Sequence, residues 1–151
     1  MDRKFHRLSD RKQIDLISYL REKLSERNDI KIYIGSDSQD FVSTTGYATA
    51  IVLHYRNNGG HVLYTKTKRP RTDDFTKHWN EVQDSVDIAM WLEKNGIPKA
   101  DFIDLDFNPD PKYPSNAILK SALGYVESMG FIPRCKPYAF AAMKVADKIC
   151  R

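Results

Sequence analysis

The chain has 151 residues, 41% hydrophobic and 29% charged, with 24 Lys+Arg against 20 Asp+Glu and a pI near 9.0. This length and mix predict a single globular domain over residues 1–151 that needs no disulfide or metal staple. No stretch approaches the ~18 apolar residues of a membrane span, and MDRKFHRLSDRK lacks the apolar core of a signal peptide, so a cytoplasmic protein with no membrane partner is expected. The net charge of +4 tilts toward polyanionic partners. Cys135 and Cys150 fit no metal or Cys-x-x-Cys spacing and read as free thiols.

In chain order, the spacing of Ile14, Ile17, Leu20 and Leu24 predicts a helix from about Asp10 to Glu26, capped by Ser9. With the residues around it, this forms an N-terminal helical extension, 1–29, packed on the domain. Three strands follow. Ile30–Asp37 alternates Ile30, Ile32 and Ile34 against Lys31, Tyr33 and Gly35; Tyr47–Tyr55 and His61–Thr67 are the others. Asn57-Asn58-Gly59-Gly60 turns the chain between the last two, so all three run antiparallel. A long helix spans about Asp74 to Lys94 and is stopped by Asn95-Gly96 and Pro98. Asp101–Phe107 is a fourth strand, and Asn108–Pro114 is an irregular loop. Ser115 caps a helix that ends at Gly130. Phe131–Pro137 fits an edge strand, where prolines are tolerated, and Tyr138 to Arg151 closes the chain as a helix. The whole is one mixed, five-stranded α/β sheet flanked by helices: a helix, three strands, then α-β-α-β-α.

Four carboxylates stand out against this frame. Asp37 ends the first strand, where Ser-Asp-Ser also suits an Asx-turn. At ~100° per residue, Lys77, Asn80, Gln83, Asp84, Asp87 and Lys94 fall on one polar arc of the long helix, whereas Glu81 falls on the apolar side between Ile88 and Leu92. An acid there either snorkels to the helix edge or meets a cation. Asp104 and Asp106 share one face of the fourth strand and need compensation if buried, although Asp106 before Asn-Pro also suits a turn. Asp147 joins Phe140, Met143 and Cys150 in one helical stripe; paired with Lys144 it would be an ordinary exposed acid. One mixed sheet brings the ends of these elements together. Converging carboxylates repel unless cations sit among them, and hard oxygen donors select Mg²⁺ or Mn²⁺. Two such ions form the kind of site that hydrolyses phosphodiesters.

IYIGSDSQ, NEVQDSVDIA, DLDFNP and GYVESMGFIPRCKPYAFAAMKVADK together resemble the YkuK-type family of predicted RNase H-like nucleases, over about Ile30 to Arg151. The resemblance implies the RNase H-like fold, which has the element order read above. It also implies Asp37, Glu81, Asp106 and Asp147 as catalytic, metal-binding acids. Asp104 would support or compete with Asp106, and Ser38 would support its neighbour. The substrate expected is nucleic acid, whether RNA, DNA or hybrid.

Lys66, Lys68, Arg69 and Arg71 form a basic run placed between the third strand and the long helix, and could hold substrate phosphates. Lys136 and Lys144 could extend it, and Tyr113 could stack on a base; a solvated loop would show the same composition. No P-loop, H-E-x-x-H, Cys-rich zinc pattern or G-x-S-x-G elbow occurs. Asp37-Ser38-Gln39-Asp40 lacks the glycines that an actin-like ATPase needs to admit phosphates. The rival reading is a non-catalytic nucleic-acid-binding or scaffold protein that keeps the fold.

Overall fold

The computed structural model describes residues 1–57, 59–107, 110–112, 116–135 and 146. The first departure from expectation is at the N-terminus. Residues from Asp10 do not begin a helix. Instead β1 (Phe5–Arg7) and β2 (Gln13–Ile14) form a small hairpin, and α1 starts only at Leu16 and runs to Glu26. The cap is Asp15 rather than Ser9, with Ser18 Oγ donating to Asp15 Oδ2 at 2.8 Å. The cause lies in Phe5, which is buried opposite Ile14 as β1 adds to the edge of the sheet. Pairing an exposed edge satisfies backbone groups that a longer helix would leave to water.

The remaining elements are β3 (Ile30–Asp40), β4 (Thr44–Tyr55), β5 (Gly60–Pro70), α2 (Asp74–Lys94), β6 (Phe102–Asp104), α3 (Asn116–Ser128) and β7 (Pro133–Arg134). The sheet therefore has seven strands rather than five, in the order β2-β1-β5-β4-β3-β6-β7. The β2 to β3 half is antiparallel, whereas β3, β6 and β7 run parallel, so the sheet is mixed. The β4–β5 register is held at Gly60, whose φ of +152° and 1.9 Å approach of an added Cβ to the Leu53 carbonyl admit no side chain. The fourth expected strand is shorter than predicted, so Asp106 lies just beyond the end of β6. The predicted helix from Tyr138 falls outside the described residues, apart from Ala146, which is helical and buried.

Alternation divides each strand between two faces. Ile32, Ile34, Ile51, Leu53, Leu63 and Ile103 join α1, α2 and α3 in one apolar core. Each such side chain contributes about 1.5–3 kcal/mol by burial, so this face holds the fold together. The opposite face carries Tyr33, Gly35 and Asp37 on β3. Beside them stand Ala48 and Ala50 on β4, Lys66 and Lys68 on β5, and Phe102 and Asp104 on β6. The buried arc of α2 is wider than its apolar stripe. Asp84, expected on the polar face, is 4% exposed and paired with Arg69 and with Arg3, the latter at 3.3 Å. The N-terminal segment and β5 close over that flank of the helix, which apolar periodicity alone does not reveal.

Candidate functional site

The parallel pair β3 and β6 sets the location, because ligand sites in α/β sheets form at the carboxyl ends of parallel strands. Gly35 pairs with Asp104; two residues further on, Asp37 and Asp106 follow with the same parity. Asp37 is buried, and its Oδ1 accepts from the Ser38 backbone N–H at 2.9 Å. The side chain of Ser38 points the other way, toward α2, and its hydroxyl donates to Glu81 Oε1.

Helix α2 is fixed against the strands by a polar seam. Asp73 caps it, accepting from the Thr76 N–H at 3.3 Å. Lys77 donates to Asp40 at 3.2 Å, Asn80 donates to the Tyr47 hydroxyl at 3.1 Å, and the Ser85 and Ser36 hydroxyls bond at 2.7 Å. Glu81 sits in the middle of this seam, 5% exposed. Its Oε2 lies 3.2 Å from His78 Nδ1, one turn earlier. Burial pushes the Glu81 carboxyl up from its ordinary pKa, and the bonds from His78 and Ser38 pull it back; the negative charge of Asp106 pushes it up again. The bond to Glu81 raises His78 in turn, and Asp106 adds to that rise. Glu81, His78 and Asp106 thus act as one electrostatic group. His78 is a partner that the sequence reading does not name; its i−3 spacing from Glu81 on a helix is the one local signal for it.

The other expected residues divide. Asp104 is 1% exposed and accepts from Arg134 of β7 at 2.8 and 3.1 Å, so it is committed to a bidentate ion pair. Arg134 also lies over the Tyr33 and Phe102 rings, 4.5 and 4.3 Å from their centroids. Asp147, Lys136, Lys144 and Tyr113 lie outside the described residues. The basic run is not a loop. Lys66, Lys68 and Arg69 belong to β5 and only Arg71 follows it. Lys66 and Lys68 are exposed on the face of Asp37: Asp37, Ala48 and Lys66 form one cross-strand row, and Gln39, Gly46 and Lys68 the next. Arg69 turns to the helix side, pairs with Asp84 and lies over the Tyr47 ring.

Among the described residues, no group of three or more His, Cys, Asp or Glu side chains is gathered closely enough to hold a metal ion. Asp37 leaves β3 on the face opposite Ser38 and Glu81, so of the expected acids it is Glu81 and Asp106 that feel one another's charge, and their oxygen donors suit a hard divalent cation in chemistry. A cleft of about 600 Å³ lies elsewhere, at the start of β3 between Asn28, Lys31, Arg56 and Asp101. The strand carries Asp37 roughly 23 Å from Ile30, so that cleft is remote from the acids.

A family model described as Ribonuclease H-like matches residues 14–151. No curated protein matches the chain. Among solved structures, it is similar to the N-terminal RNase H domain of rv2228c from Mycobacterium tuberculosis, solved as a fusion with maltose binding protein. The identity is 16%, covering 80% of this chain and 96% of that one, with a TM-score of 0.43.

Proposed function

The chain belongs to the Ribonuclease H-like family, and from that premise we propose that it is a divalent-metal-dependent nuclease acting on nucleic-acid phosphodiesters. Its α/β fold is the RNase H-like one, with a seven-stranded mixed sheet and three helices among the described residues. The YkuK-type branch is the finer placement we favour, on the IYIGSDSQ and DLDFNP segments. The observation that carries the reading is Glu81. A carboxylate this deeply buried, with the charge of Asp106 nearby, is costly to ionise, and a bound cation would offset that cost.

Glu81 and Asp106 would hold Mg²⁺ or Mn²⁺, with Asp147 as the fourth acid and with Asp37 joining them once its side chain turns from the opposite face of β3 toward Glu81. Such ions supply Lewis-acid polarisation of a phosphodiester and lower the pKa of water. The protein's own part is orientation. Ser38 aims the Glu81 carboxylate, His78 keeps it partnered while no cation is bound, and the α2 seam fixes both against β3. Lys66 and Lys68, level with Asp37 across β4, take substrate phosphates.

One observation favours a second reading. Glu81 is already hydrogen-bonded by His78 and Ser38, which suits a non-catalytic nucleic-acid-binding protein whose site has closed on itself. Labelled single-stranded, duplex, hybrid and branched substrates incubated with Mg²⁺ or Mn²⁺ separate the two. The nuclease reading expects cleavage of at least one substrate, falling to background in Asp37→Asn. Binding without cleavage in either cation selects the second reading.

A further inference from the structure

The β3–β4 hairpin tip exposes apolar surface immediately beyond the acids: Val42 is 96% exposed and Phe41 42%. The tip is nonetheless held firmly. Phe41 N–H donates to the Thr44 carbonyl at 2.8 Å, and the Arg71 N–H to the Ser43 carbonyl at 3.1 Å. Arg71 Nη1 donates to the Phe41 carbonyl at 3.1 Å, and Asp40 is bonded by Thr45 and Lys77. Phe41 keeps 42% of its surface in solvent on a backbone held in place, which leaves ring face for a partner from outside.

Its surroundings are cationic. Lys68 Nζ lies 5.7 Å from the Phe41 ring centroid, and Lys66 stands one step along the same face, in the row of Asp37. Phe41 is four residues past Asp37 on an extended strand, roughly 13 Å away. That distance spans about four stacked nucleotides at 3.4 Å each. An exposed ring with two exposed lysines flanking the way from it to Asp37, across β4, matches a surface that stacks unpaired bases and tracks their phosphates. A duplex keeps its bases inside and offers the ring nothing. We propose that the hairpin tip is a base-stacking platform, with Phe41 as its ring, and that the substrate class is nucleic acid with unpaired bases next to the cleaved bond. This rests on the nuclease reading for its phosphate path, but it is tested by binding alone.

Fluorescein-labelled oligothymidylate and a blunt DNA duplex of the same length are titrated in Ca²⁺, following anisotropy, against the parent, Phe41→Ala, Val42→Ala, Phe41→Tyr and Lys66→Ala/Lys68→Ala. The parent should prefer the single strand. Phe41→Ala should weaken oligothymidylate binding roughly 5- to 100-fold with its salt slope unchanged, leave the duplex alone, and be rescued by Phe41→Tyr. Val42→Ala should weaken it in the same direction and less. The double lysine variant should weaken both probes and flatten the salt slope. Oligothymidylate binding unchanged in Phe41→Ala overturns the platform and leaves the nuclease reading standing. A parent that binds neither probe overturns both. Binding to phosphatidylserine vesicles that Phe41→Ala and Val42→Ala abolish, with no single-strand preference, would make the tip a membrane contact and overturn the proposal.

Discussion

Glu81 and His78 each hold a proton more tightly in the folded chain than in the unfolded one. A group of this kind contributes stability that is complete below its unfolded pKa and lost as pH rises through its folded pKa. For Glu81 the loss begins above the ordinary value of 4.5, and for His78 it begins above 6.5. Asp29 and Asp40 are depressed, so their contributions change only below 3.8, outside this window. With divalent cations chelated, Glu81 and His78 therefore lower the melting temperature as pH rises above 4.5; Asp87, raised by burial, adds to that fall, and His61, lowered by burial, opposes it below 6.5. Glu81→Gln should flatten that fall, since it removes the carboxyl and the partner that raises His78. Parallel curves for parent and variant would remove the pair from this role. Activity distinguishes neighbours on the same helix: Glu81→Gln should abolish cleavage, whereas Asp87→Asn, exposed on the outer side, should leave it near the parent rate. Equal loss in both would mean that Glu81 has no special part. Glu81 was legible because an acid interrupted an apolar stripe. Its histidine partner was not, because an i−3 pair on a helix is common and carries no signal of burial.

At the scale of elements, α2 was the most legible. Its end is read from Asn95-Gly96, and its start is set in the structure by the Asp73 cap, local signals that tertiary structure had no reason to override. β3 was legible from alternation, and Asp37 with it. The fourth strand misled, because Asp101–Phe107 alternates well but only Phe102–Asp104 pairs with β3, and only Ile103 and Asp104 pair with β7. Pairing, a long-range property, decides where a strand ends. The same long-range property settles Asp104, whose partner Arg134 is 30 residues away on β7. Arg134→Ala would strip this fully buried carboxylate of its bidentate donor and should cost roughly 3–5 kcal/mol in denaturant unfolding. Asp106→Asn, at a half-exposed position, should cost little stability and instead remove activity. If Asp104→Asn proved folded, stable and inactive while Asp106→Asn cleaved normally, the two acids would have to exchange roles.

For the molecule as a whole, sequence order gave the mixed α/β sheet and its parallel half but missed β1 and β2. Ile14 fits a helical stripe with Ile17 as well as it fits a strand opposite Phe5, and only the open edge of β5 decides between them. Edge pairing also explains why Asp84 is buried, since Arg3 arrives with the added hairpin. The basic run shows the same limit: a strand could be read up to Thr67, but its continuation to Pro70, with Lys66 and Lys68 beside the acids, depends on pairing with Thr44–Ala48. Their exposure on the Asp37 face predicts that substituting both with Ala flattens the slope of log affinity against log salt by roughly 1–2 units. An unchanged slope would send the phosphate path elsewhere. The proposed function turns on one buried acid, Glu81, near Asp106 beyond the end of β6. Calorimetric titration of the chain with Mn²⁺ near neutral pH, in two buffers of different ionisation enthalpy, tests this most directly. Binding should release heat, with any proton release read from the difference between the two buffers, and the heat should vanish in Asp37→Asn. No heat at millimolar Mn²⁺, or an identical isotherm in Asp37→Asn, would contradict the account.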